Sequence, residues 1–416
     1  MFTSRSGSAV RPALRTAATF AALALLAACG GGGGGNGSGQ QPAPPVASPP
    51  PPTPTPPLER GPLYHFTAIG LPGMTLGAVV RQGIANGALV AGTSWAGTET
   101  RAFLYDGKKN IDLGTLGGGS ARAFSVNPCG HVTGWAYTDT GIPHAFYYEN
   151  GSLRDLGTLG GADSYGNVIS TCGKVAGWAA TSAGQAHAFY HDGKTMHDIG
   201  TFGGDSSAAT ALNSLGQVVG YAYLADSTYH AFLYDARTGG QILDIGPAGW
   251  RSRAVDINEA GQVAISASGA TTLRAYRYAG GNLLDLGLPP GARDAQATAI
   301  NAAGHVVGTV TYPDNRQVAF LHDGTTLHEL GTLGGGRISQ AVAINASGLV
   351  VGSSVDPTAV GQRAFAWSSS YGMVNLNERV TNLPKGVTLI AALAVADDGG
   401  IAVRTNEGLG LLRPRK

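Results

Sequence analysis

The chain has 416 residues, with 27 Lys and Arg against 26 Asp and Glu. So balanced a charge offers no basic field to hold nucleic acid or an anionic membrane surface. Charged residues are only 13% of the chain and Gly numbers 65, a composition of tight-turned β structure rather than of long helices.

The N-terminus reads as a targeting segment. Arg5, Arg11 and Arg15 form a positive stretch, and residues 17–28 an apolar one too short to span a bilayer. It ends in Leu26-Ala27-Ala28-Cys29-Gly30. That order resembles the lipobox of bacterial lipoproteins. The resemblance implies a signal peptide over residues 1–28, cleavage before Cys29, and lipid on the Cys29 thiol as the membrane anchor. With Gly30 rather than Asp after the cysteine, it also implies an outer-membrane lipoprotein on the periplasmic or cell-surface side. Residues 29–60 form a tether. Gly30 to Gly39 is nearly all Gly, Asn and Ser, and residues 42–57 hold ten of the 22 prolines. The first stretch is a flexible coil. The second favours extended polyproline II, which at ~3.1 Å per residue holds the body ~50 Å from the anchor.

From residue 61 to residue 416 one pattern recurs. An aromatic strand opens each unit, as in Ala102-Phe103-Leu104-Tyr105 or Ala145-Phe146-Tyr147-Tyr148. The aromatic after Ala stands at 103, 146, 189, 232, 276, 320 and 365, in steps of 43, 43, 43, 44, 44 and 45. Periods of this size belong to four-stranded blade repeats. The strand ends at Asp106-Gly107, Asn150-Gly151 or Asp192-Gly193, dipeptides that supply the positive φ of a tight hairpin. A second strand ends in Asp-Leu-Gly or a variant, with Asp112, Asp155, Asp198, Asp244, Asp285 and Glu329 in one slot. A Gly-rich loop follows. A third strand ends at a turn such as Asn301-Ala302-Ala303-Gly304. The fourth is apolar with an inner Gly, as in Val218-Val219-Gly220, which reads as close sheet-on-sheet approach.

The turn and fourth strand occur eight times, from residues 84–92 to residues 395–403, but the aromatic strand only seven times. Residues 64–70 align with a second strand and lack a first. Residues 409–412 are a spare apolar strand after the last full unit. The strand missing from one end stands at the other. This predicts an all-β closed propeller of about eight four-stranded blades, with the N- and C-terminal strands sharing one blade. Closure removes the free sheet edges that an open stack would expose.

Three units carry His144-Ala145-Phe146, His187-Ala188-Phe189 and His230-Ala231-Phe232. Together with Asp-Leu-Gly-Thr-Leu-Gly-Gly and Asn-x-x-Gly-x-Val-Val-Gly, they resemble the bacterial extracellular HAF-repeat family over roughly residues 84–367. The resemblance implies an exported tandem-repeat protein with no cofactor and no established catalysis. Arg101, Arg274, Arg363 and Val318 stand in place of the His elsewhere. The slot therefore reads as a pairing or capping position rather than a catalytic imidazole.

The strongest candidate for a binding surface is Trp95, Trp135, Trp178 and Tyr221, which fall after the fourth strand of successive units as if in one slot. They offer an arc to stack on sugar rings or peptide; blade-to-blade packing is the alternative reading. The repeated Asp could ring a tunnel to bind cations or sugars, or accept N–H bonds from the Gly-rich turn that follows. Its presence in nearly every unit favours the second. The three His lie on different blades without ligand spacing, so no metal site is expected. Cys129 and Cys172 share a turn slot in adjacent units. Export would allow a disulfide between them if the two turns bring their Cα atoms within about 7 Å; free thiols are the other outcome. No nucleophile elbow, zinc motif or isolated carboxylate pair is present. The reading favours a membrane-anchored extracytoplasmic binding or scaffold module. It is a monomer held to the membrane through the lipid on Cys29, with a glycan or protein as ligand and no catalytic residues. A propeller enzyme acting on polysaccharide or a lactone is the alternative.

Overall fold

A computed structural model describes residues 61–415 apart from Thr75, Arg81 and Val360. The signal peptide, Cys29 and the tether lie outside the described residues. The body is an eight-bladed β-propeller, formed by eight antiparallel sheets. Blade 2 shows the pattern, with Gly117–Val126 innermost, then Val132–Thr138, Pro143–Glu149 and Ser152–Asp155 at the rim. The innermost strands of successive blades touch one another around the axis. In blade 1 the innermost strand is broken, and Leu76–Ala78 and Ile84–Ala85 both pair with Leu89–Ala96.

The blades are phased half a unit away from the sequence repeat. Gly117–Val126 and Val132–Thr138 bond to the aromatic strand that follows them, not to the one before. The reason is loop length. The turn at residues 139–142 is a tight hairpin, whereas the Gly-rich segment crosses from the rim of one blade to the axis of the next.

Closure follows the predicted route. Tyr64–Ile69 pairs antiparallel with Leu409–Pro414, from Tyr64 opposite Pro414 to Ile69 opposite Leu409. With Leu389–Val395 and Ile401–Thr405 they make blade 8, whose rim strand comes from the start of the chain. Each seam between blades holds its own apolar cluster. The last joins Ala394, Ala402 and Leu411 of blade 8 to Val90 and Phe103 of blade 1. At about 25 cal/mol per Å² of apolar surface, these seams supply the main stabilisation of the ring.

The turns near the axis add polar clasps. The Asn127 amide donates to the Ser170 carbonyl of the next blade at 3.1 Å. The same bond runs from Asn213 to Asn258, Asn258 to Asn301, Asn301 to Asn345 and Asn345 to Ala396. Meanwhile Asn127 Oδ1 accepts from the backbone N–H of Cys129 and His131, closing its own turn.

The inner Gly of the fourth strand has a different cause from the one expected. A Cβ on Gly134, Gly177, Gly308 or Gly352 would stand 1.9 Å from a carbonyl oxygen of the innermost strand of the same sheet. That strand bulges here, for example between Gly166 and Val168 beside Gly177. The close approach is therefore within a blade, at a β-bulge, and not between blades.

Candidate binding face

One face of the ring carries the crossings between blades and the hairpin turns such as residues 139–142. The other carries the turns near the axis and the rim hairpins. The repeated Asp sits on the rim strands, near the crossing face. Asp155 Oδ1 accepts from Gly157 N at 2.7 Å, and Asp112, Asp198, Asp244 and Asp285 make the same bond to the Gly two residues on. These bonds are the turn-holding role that the repeat favoured over a ring of carboxylates. The tunnel has an opening of about 480 Å³ lined by residues such as Gln82, Phe124, Asn167, Thr210 and Thr298, with none of the repeated Asp among them.

The second Asp oxygen pairs with the His/Arg slot. His144 Nδ1 lies 2.8 Å from Asp155, His187 2.9 Å from Asp198, His230 2.7 Å from Asp244, and Arg101 Nε 3.2 Å from Asp112. Where Val318 replaces His, the carboxylate is Glu329, and it takes the Tyr312 hydroxyl at 2.8 Å instead. Among the described residues no three His, Cys, Asp or Glu side chains gather as a metal site.

Register shows which aromatics share a position. Trp135 stands opposite Ala145, Trp178 opposite Ala188 and Tyr221 opposite Ala231, each directly after the inner Gly and inside its strand. The residue opposite Ala102 is Thr93, so Trp95 lies two places further on, level with Tyr137 and Tyr223. Counting from the end of the strand in place of the Gly hides that offset. The other members of the slot are Ser266, Thr309, Ser353 and Arg404.

The three slot aromatics are half-buried and extended by neighbours that the sequence reading missed. Tyr165, on the innermost strand opposite Trp178, stacks on it at 4.3 Å between centroids and meets Trp135 edge-on at 5.9 Å. Burial, with Asp163 nearby, raises the Tyr165 hydroxyl above its ordinary pKa. Tyr137 packs on Trp135 at 5.2 Å, and Tyr223 and Tyr229 surround Tyr221. Arg122 lies over Trp135 at 5.6 Å and Arg253 over Tyr221 at 5.4 Å, both in cation–π geometry. The result is an aromatic crescent over blades 2, 3 and 4, flanked by guanidinium groups. Only pairing register reveals Tyr165, but its neighbours at 137 and 223 repeat the period and could have been found.

At the seam of blades 4 and 5 the crossing face opens into a cavity of about 750 Å³, lined by Asp226, His230, Trp250, Arg251 and Ser268 among others. The crossings into blades 2, 3 and 4 are plugged. Leu116, Leu159 and Phe202 each form a parallel bridge to the turn beside them. Here the crossing reads Gly246-Pro247-Ala248-Gly249 and forms no such bridge. Cys129 and Cys172 stand as free, exposed thiols in the axial turns of blades 2 and 3, on the opposite face.

No family model matches the chain, and no curated protein matches it. Solved structures do. A prolyl endopeptidase is similar at 10% identity and TM-score 0.52, covering 82% of this chain and 54% of its own. The chain thus spans about half of that protein. The β-propeller domain of the Trilobed protease from Pyrococcus furiosus gives 11% identity and TM-score 0.48, covering 74% and 97%. The BP39L lectin from Burkholderia pseudomallei gives 10% identity and TM-score 0.41, covering 72% and 97%. Likeness at this identity establishes the fold alone.

Proposed function

We propose that this chain is an exported, lipid-anchored binding propeller of the HAF-repeat type, and that the aromatic crescent of its crossing face engages the ligand. One observation carries the reading. Eight blades close eight equivalent seams, yet the slot holds Trp135, Trp178 and Tyr221 on three adjacent blades and Thr93, Ser266, Thr309, Ser353 or Arg404 on the rest. Packing alone does not call for the aromatics, because five blades close without them. Rigid, half-exposed aromatic rings beside cations are the side chains that anchor ligands at low entropic cost. The paired Asp, His and Arg of blades 1 to 4 are spent on holding turns.

The mature protein is to be screened on glycan and protein arrays, with Trp135→Ala and Trp178→Ala beside it. The expected result is a ligand whose signal both substitutions reduce while the melting temperature holds. Silence on broad arrays, or a ligand indifferent to both changes, sinks the crescent reading. The anchor is tested apart from it. Cys29→Ser should move the protein out of the membrane fraction, and retention there would remove the lipid proposal.

A further inference from the structure

At the seam of blades 4 and 5 the ring departs from its own repeat and leaves chemistry open. Its cavity of about 750 Å³ falls within the range of roughly 300–1,000 Å³ typical of small-ligand clefts. The crossing that would fill it lacks the bridged Leu or Phe of the crossings into blades 2, 3 and 4, and Trp250 stands there instead. The indole is half-buried and packs against Gly269, where a Cβ would lie 3.0 Å from the ring.

Three ionisable groups share the lining, Asp226, His230 and Arg251. His230 Nδ1 is tied to Asp244 at 2.7 Å, and its Nε2 has no hydrogen-bond partner among the described residues. In blade 2 the Nε2 of His144 lies 3.1 Å from the Ala162 carbonyl of the next innermost strand, whereas in blade 3 the Nε2 of His187, like that of His230, has no hydrogen-bond partner among the described residues. Arg251 is exposed and forms no ion pair among the described residues. Asp226 accepts the backbone N–H of Thr228 through Oδ1 at 2.9 Å, and no hydrogen bond reaches its Oδ2. The Thr228 bonds hold that carboxyl below its ordinary pKa, so it stands as a carboxylate.

We propose that this cavity is a binding site for a neutral pyranose ring of a glycan, stacked on Trp250 and held through its hydroxyls by Asp226, His230 and Arg251. The inference deepens the binding role proposed above, because the cavity opens on the same face as the crescent. Sugar hydroxyls both donate and accept, and the lining matches them with acceptors at Asp226 and His230 Nε2 and a donor at Arg251. An anionic ligand would meet Asp226, and a cationic one Arg251. The apolar face of the sugar ring needs a flat, rigid partner, which the indole provides.

The test uses the mature protein and a panel of methyl pyranosides, read by saturation-transfer NMR and by tryptophan fluorescence. Uronates and amino sugars form two further arms. A neutral pyranoside should bind, and Trp250→Leu and Arg251→Gln should each weaken it roughly tenfold or more, with circular dichroism unchanged. His230→Gln should do the same; Arg251, which makes no structural bond, keeps the test valid if His230→Gln unfolds. Binding confined to uronates or to amino sugars overturns the proposal. So does a wild-type protein that binds no pyranoside, or variants that bind as well as wild type. An array ligand lost in Trp135→Ala but untouched by the seam variants would remove this site and leave the crescent standing. A pyranoside lost in Trp250→Leu with silent crescent variants would do the reverse.

Discussion

Asp112, Asp155, Asp198 and Asp244 of the rim slot each divide their two oxygens between two neighbours, the backbone N–H of the following Gly and the His or Arg across the strand. The pairs lie partly in solvent, where an ion pair contributes no more than about 1 kcal/mol. That small stake explains why the slot tolerates Arg101 and even Val318. Buried groups have larger stakes. Tyr64 is 1% exposed and its hydroxyl has no hydrogen-bond partner. Burial raises the pKa of that hydroxyl far above the ordinary value. Tyr64→Phe should therefore leave stability unchanged or raise it by about 1 kcal/mol in a denaturant titration, and a clear loss would show a hidden partner. His191 and His322 are both 3% exposed, and each accepts a backbone N–H through Nδ1, from Gly193 and Gly324. Burial lowers both pKa values, with the Arg154 and Arg277 charges adding to it. The unfolded chain then binds protons that the folded ring refuses. The stability these groups contribute is whole above about pH 6.5 and is lost as pH falls below it. Melting temperature should drop between about pH 7.5 and about pH 5.5, and less so in the double variant His191→Gln/His322→Gln. Identical profiles for the two proteins would count against the histidines.

At the scale of the strand, the bulge and the inner Gly act as one device. Gly177→Ala places a methyl 1.9 Å from the Tyr165 carbonyl and should cost about 2–3 kcal/mol by chemical denaturation. Gly119→Ala meets nothing within 4 Å and should be neutral. Equal effects would show that the bulge yields. Blade 8 reverses the arrangement, with Val403 in the Gly position and Gly410 opposite it. A Cβ on Gly410 would lie 2.1 Å from the Phe66 ring, which takes that space. The strands themselves were legible in the sequence, since an aromatic at a constant step and a turn dipeptide mark both ends of a hairpin. Their partners were not. The repeat has the same period whichever strand starts it, so it is silent on whether the Gly-rich segment lies inside a blade or between blades. Trp95 was misplaced for a related reason, because strand length varies while the inner Gly keeps register.

For the whole ring, the offset between the chain ends was the decisive sign, and it was readable because a missing strand is a matter of counting. Trp135, Trp178 and Tyr221 were readable as a slot. Tyr165, Trp250 and the cavity were not, since they arise from strand pairing and from a crossing that departs from the repeat. Because Arg415 N donates to the Leu63 carbonyl at 2.8 Å, the two ends of the ring lie side by side. A circle of this kind has no privileged place to begin. A circular permutant that joins Arg415 to Gly61 through a short glycine linker, and opens instead at the exposed Gly184 turn of blade 3, should give the same circular dichroism spectrum and bind the same ligand. Its blade 8 would then be stitched by covalent bonds, and blade 3 would be closed by two strands from each chain end.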